Sequence, residues 1–167
     1  MARDLGCALA QVIIAASSHY CASAEVTACE SPIEQDMVVA FQGMPSVEVV
    51  LGMTLNKLNE KARSDDMLGM IIVAPQVKVG KYRADFILAK RMASGETKLV
   101  NVECDGHAYH RATMEQISKD ARRDMLFAEL GIHVMRFSGK RIFRDQFRCA
   151  REAVSVFSDS RHTQSDE

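Results

Sequence analysis

The chain has 167 residues, a formal net charge of −1, 47% hydrophobic residues and 26% charged ones. This is enough apolar material for one domain with its own core, so no disulfide framework is needed to hold it together. The five cysteines, Cys7, Cys21, Cys29, Cys104 and Cys149, are odd in number and form no CxxC pair, which fits reduced thiols and a cytoplasmic location.

Residues 4 to about 23 predict a helix. The run LGCALAQVIIAA after Arg3 has some character of a secretory signal, but Asp4 lies in what would be the positive region, Gln11 interrupts the run, and it is too short to cross a membrane. A second helix starts near Ser31, where Ser31-Pro32-Ile33-Glu34 offers an N-cap, a first-turn proline and a third-position carboxylate. Residues 46 to about 63 also carry apolar side chains at helical spacing. From there the period falls to two: MIIVAPQVKVG, KYRADFILAKR and KLVNVECD read as three meandering strands. Arg83, Asp85 and Ile87 are expected on one face of the second, and Asn101, Glu103 and Asp105 on one face of the third. Thr113 caps a helix that runs to about Leu130, with Ile117, Ala121 and Met125 toward the sheet. IHVMRF is a fourth strand, and a last helix spans about 144–157. The strand–helix–strand step suits a crossover to a parallel neighbour, which makes the fold class α/β (α+β), a mixed four-stranded sheet flanked by helices. The tail from 158 to 167 is polar.

The charge is unevenly spread. Residues 1–75 carry 4 basic and 9 acidic side chains, whereas residues 76–152 carry 16 and 10. The basic half suits a polyanion. The same half contains NVECDGHAYHRATMEQISKDARRD, where Glu103, Asp105, His107 and His110 crowd the end of a strand. Antiparallel neighbours bring Asp85 close to Glu103. Two carboxylates so placed repel each other unless a cation lies between them, and a hard divalent ion is the usual solution. Such an ion supports phosphodiester hydrolysis. Gln116, Asp120 and Arg123 recur at helical spacing beside this strand end, with Arg123 suited to a phosphate. Arg136, Lys78, Arg83 and Lys119 extend a basic track for a nucleic-acid backbone. Plainer readings stand beside these: Glu34 as a capping-box carboxylate, Gln116 and Arg123 as a solvated helix face, and Cys104, His107 and His110 as zinc ligands. The zinc reading is weakened because Cys104 points away from Glu103.

The ordered motifs DFILA, VECDGHAYH and EQISKDARRDMLFAELGIHVMRFSGKRIF, with SPIEQ ahead of them, resemble the PD-(D/E)XK nuclease superfamily. Within it they are similar to the very-short-patch-repair (Vsr-like) endonucleases and related endonuclease-like domains. The resemblance covers residues 31 to about 152. It implies a restriction-endonuclease-like core in a domain over 31–157; it does not account for 1–30, read as a helical extension, or for about 44–70, read as a helical insert. It also implies a Mg²⁺-dependent DNA endonuclease, with Mn²⁺ able to substitute. Asp85 and Glu103 would bind the ion with the Cys104 carbonyl, and Glu34 would hold a water. Gln116 and Arg123 would position the phosphate. Asp105 stands where the superfamily generally has a lysine, so the base is either His110 or water activated mainly by the metal, with Asp105 as a further ligand or orienting group. DNA is the expected partner, a homodimer is compatible, and no membrane is expected. The alternative is a catalytically inactive nucleic-acid-binding or interaction module on the same fold.

Overall fold

The structure, a computed structural model, describes residues 23–105 and 113–158. The helix expected over 4–23 therefore lies outside it up to residue 22, as do His107, His110 and most of the polar tail.

Helix α1 (Ala24–Thr27) leads to α2 (Pro32–Gln42), which begins as the sequence predicts: Ser31 is the N-cap, its hydroxyl accepts from the Glu34 amide, and Pro32 fills the first turn, where no amide hydrogen is needed. Residues 46–63 are not one helix. Ser46 and Gly52 adopt positive φ, and between them β1 (Val47–Val49) forms an edge strand parallel to β2 (Ile71–Val79). The β-branched alternation of Val47-Glu48-Val49 outweighs the helical spacing there. Thr54 then caps α3 (Leu55–Arg63). The stretch read as a helical insert thus supplies the sheet's edge and one covering helix. Strands β3 (Tyr82–Arg91) and β4 (Thr97–Asp105) complete an antiparallel meander with β2. Helix α4 (Met114–Glu129) carries a capping box between Thr113 and Gln116, and β5 (His133–Ser138) returns parallel to β4. Two helices follow instead of one, α5 (Gly139–Arg144) and α6 (Gln146–Ser155). They divide at Asp145, whose carboxylate caps α6 by accepting from the Arg148 amide at 2.8 Å.

The sheet is therefore mixed and five-stranded, in the order β1-β2-β3-β4-β5, with helices on both faces. On one face α2, α5 and α6 bury Met37, Phe41, Phe86, Leu88, Val102, Phe137 and Ile142. On the other, α3 and the end of α4 bury Leu58, Ile72, Ile87 and Phe127. Phe41 and Phe86 meet edge to face at 5.6 Å, tying α2 to the strand that bears Asp85. Phe86→Ala is expected to cost about 3–5 kcal/mol, as a fully buried ring is lost and only partly replaced by relaxation; chemical denaturation measures it. No helix of the described residues is long and apolar enough to cross a membrane.

Candidate active site

The two central carboxylates lie where the β3–β4 ladder ends. Its last pair is Phe86↔Val102, and the same register continued by one residue sets Asp85 opposite Glu103. There the Asp85 side chain takes over from the backbone: its Oδ2 accepts from the Cys104 amide at 2.7 Å. Burial pushes the Asp85 carboxyl up to about 7. The Cys104 hydrogen bond opposes this, the charges of Glu103 and Glu34 add to it, and Arg123 opposes it. An acid so perturbed beside two other carboxylates has the character of a functional group.

Glu103 is only 3% exposed. Its Oε1 accepts from Asn101 Nδ2 at 2.6 Å, and its Oε2 pairs with Arg123 Nη1 at 3.1 Å. Burial raises its pKa, while Asn101, Arg123 and Arg136 pull it back. Asp105 is also raised, first by burial, against Arg136 and Arg123 and with Asp120 adding to the rise. The Cys104 side chain joins the core on the α2 face, as alternation along β4 requires. Burial and the charges of Asp85, Glu34 and Glu103 push its thiol far above the ordinary range, which disfavours the thiolate form.

Glu34 approaches from α2 and serves two ends at once. It accepts locally from Ser31 Oγ at 2.6 Å and the Glu30 amide at 3.0 Å, and across the fold from Gln76 Nε2 at 2.7 Å. The capping role and the site role are therefore compatible.

The remaining sequence candidates divide. Arg123 is at the centre, on Glu103. Arg136 faces Glu103 across the β4–β5 register and pairs with Asp124 on α4. Gln116 spends its side-chain oxygen on the Thr113 amide, at 2.8 Å, to close the capping box. Lys119 lines an open groove of about 660 Å³ with Lys81, Tyr82, Ser118 and Arg122. Lys78 and Arg83 are cross-strand partners, and Arg83 pairs with Glu30. His110 lies outside the described residues.

Two expected faces differ. Ile87 joins the core on the α3 side, whereas Arg83 reaches the α1–α2 connection, so they do not share a face across Asp85. On α4, Ile117 and Met125 are 50% and 62% exposed; the helix instead turns Arg123 toward Glu103 and seats Phe127 in the core. A buried carboxylate that needs a cation outweighs two apolar side chains that the short contact with the sheet cannot cover.

Asn101 and Gln76 were not among the sequence candidates for the site. Strand alternation already set Asn101 beside Glu103; nothing local marks Gln76 except Pro75 before it in an apolar strand. In both, the amide nitrogen serves a carboxylate while the buried amide oxygen, Asn101 Oδ1 or Gln76 Oε1, has no hydrogen-bond partner among the described residues.

A model for the restriction-endonuclease-like family REase_MTES_1575 matches residues 59–156, more than half of the chain. The chain belongs to this family. No curated protein and no solved structure matches it. The REase_MTES_1575 match runs from within α3 to just past the end of α6 and includes Asp85, Glu103, Asp105, Arg123 and Arg136; Glu34 lies ahead of it. The domain is accordingly PD-(D/E)XK-like, on a restriction-endonuclease-like fold.

Carboxylates brought close together raise the question of a divalent cation. Oxygen donors of the kind a hard ion takes are present: the charges of Glu103 and Glu34 both act on Asp85, and Asn101 Oδ1 and Gln76 Oε1, buried and without hydrogen-bond partners among the described residues, lie on neighbours of Glu103 and Glu34. Among the described residues, no group of three or more His, Cys, Asp or Glu side chains is arranged to hold a metal, and Glu103 is engaged by Arg123.

Proposed function

We propose that the protein is a Mg²⁺-dependent endonuclease that hydrolyses DNA phosphodiester bonds, akin to the Vsr-like branch, with Mn²⁺ able to substitute. One observation carries this reading: in a chain of a restriction-endonuclease-like family, Asp85 is held opposite Glu103 at the ends of adjacent strands, its carboxyl pushed up to about 7. Asp85 and Glu103, with the Cys104 carbonyl, are the residues assigned to hold the ion, and Glu34 orients a water. When bound, a divalent ion supplies Lewis-acid charge to the phosphate and lowers the pKa of water.

The chain's own side chains do the rest. Asp85 must lose its proton to act as a ligand, so activity rises with pH through the range of its titration. Arg123, already at Glu103, can turn its guanidinium to the non-bridging phosphate oxygens, where planar bidentate contact is strongest. Gln116 is assigned to phosphate binding through its amide nitrogen, since its oxygen caps α4. His110 or water activated mainly by the metal provides the base, with Asp105 as a further ligand or orienting group. Lys119, Lys78, Arg83 and Arg136 are assigned to the DNA backbone, and the cytoplasm is the proposed location.

A second reading has its own support. The Arg123–Glu103 ion pair neutralises the site without a metal, as in a catalytically inactive nucleic-acid-binding module. Nicking of supercoiled plasmid with and without Mg²⁺ or Mn²⁺, by wild type and by Glu103→Gln, separates the two. The endonuclease reading expects metal-dependent nicking that falls by about 10²–10³-fold in the variant. DNA binding without nicking by either protein favours the inactive module.

A further inference from the structure

We propose that Gln76 is a positioning residue of this site, holding the Glu34 carboxylate beside Asp85 through a backbone conformation kept for that purpose. The proposal rests on the nuclease reading for its effect on rate, but its geometry stands separately.

Gln76 sits in mid-strand with φ of 57°, left-handed backbone that a residue with a Cβ adopts at a cost of about 1–2 kcal/mol. It falls between the ladder pairs Pro75↔Phe86 and Val77↔Ala84, directly across from Asp85. The local break changes the pleat. Ile72 and Ala74 before it and Val77 and Val79 after it all enter the same core cluster, although strict alternation assigns even and odd positions to opposite faces. On β3 the same change is seen between Ala84 and Ile87. Gln76 and Asp85 thus stand together at a step in the sheet, where a side chain can reach the α2 side without leaving the strand.

The step is used. Gln76 Nε2 donates to Glu34 Oε2 at 2.7 Å, joining sheet to helix across 42 positions of sequence, whereas the other hydrogen bonds to the Glu34 carboxylate come from Glu30 and Ser31 close by. Gln76 Oε1 is buried and without a hydrogen-bond partner among the described residues. A strained backbone and an unsatisfied buried oxygen both work against stability, so neither is explained by folding. Both are explained if this amide fixes Glu34 by its nitrogen and leaves its oxygen for the water that Glu34 orients.

Two variants test this. Gln76→Gly accepts the left-handed backbone and removes the amide; Gln76→Glu keeps the size and replaces the donor with a second carboxylate. Crystal structures, melting temperatures and plasmid-nicking kinetics in Mg²⁺ are compared with wild type. The expected result is that Glu34 leaves its place beside Asp85 in both variants. Nicking should lose about 10–100-fold in kcat at unchanged KM for DNA, and Gln76→Gly should melt no lower than wild type. Glu34 unmoved in both variants overturns the proposal, and so does undiminished kcat in a variant of an active wild type. A kcat loss matched by a lower melting temperature in Gln76→Gly reduces Gln76 to a structural residue and overturns it as well. If wild type does not nick DNA yet Glu34 moves in the variants, the nuclease reading fails while the positioning role stands.

Discussion

Asp85→Asn is expected to abolish metal-dependent nicking, a loss of about 10³-fold or more, while making the metal-free protein more stable at pH 8. The two effects have one origin. In the folded chain, burial and the neighbouring Glu103 and Glu34 hold the Asp85 carboxyl protonated up to about 7; in the unfolded chain an aspartate releases its proton near the ordinary value of 3.8. Between these the folded state binds more protons. Its stability is therefore full below the unfolded value, falls as pH rises toward 7, and is flat above. A gap of this size corresponds to a few kcal/mol, about 4 at most. Asparagine never ionises, and its side-chain oxygen can still accept from the Cys104 amide. Urea titrations from pH 4 to pH 8 should accordingly show a falling midpoint for wild type and a flatter one for Asp85→Asn, with Mg²⁺ restoring wild type alone at pH 8. A wild-type curve as flat as the variant's would mean that Asp85 ionises normally and the site holds no perturbed acid.

Removing Arg123 should act in the opposite direction. Arg123→Ala leaves Glu103 buried without its ion-pair partner, with the Asn101 amide and the more distant charge of Arg136 remaining, and loss of one partner of a buried ion pair costs about 3–5 kcal/mol. Part of that loss should return at low pH, where Glu103 takes up a proton, its pKa already raised by burial and freed from the guanidinium that pulls it down. Part should also return on adding Mg²⁺ at neutral pH if Asp85 and Glu103 are ion ligands, because the ion then supplies the charge that Arg123 gave. Thermal melts of Arg123→Ala with and without 10-fold steps of Mg²⁺ measure this directly. A variant rescued by acid but indifferent to Mg²⁺ would leave the carboxylate pair as a structural ion-pair site and favour the inactive module.

Much of the site was legible because it depends on local chemistry and on strand period. Ser31-Pro32-Ile33-Glu34 and Thr113 through Gln116 announce their helix starts in four residues each, and both caps form. The runs KYRADFILAKR and KLVNVECD read clearly enough as consecutive strands that an antiparallel meander sets Asp85, near the start of the first, opposite Glu103, near the end of the second. The opposite facing of Cys104 and Glu103 follows from the same period.

What tertiary structure alone decided are the features in which a distant partner overrules the local pattern. Residues 47–49 become a strand because their β-branched alternation meets the free edge that β2 offers. Helix α4 turns Arg123 rather than Met125 inward because Glu103, 20 positions earlier, is buried and charged. Gln76 breaks the pleat opposite Asp85 and reaches Glu34 on another element, so no window of sequence around it contains the reason. The amino-acid sequence by itself determined on which strands Asp85 and Glu103 stand; only the packed chain decided which cation, amide and carboxylate meet, since a buried charge is satisfied by whatever the whole fold can bring to it.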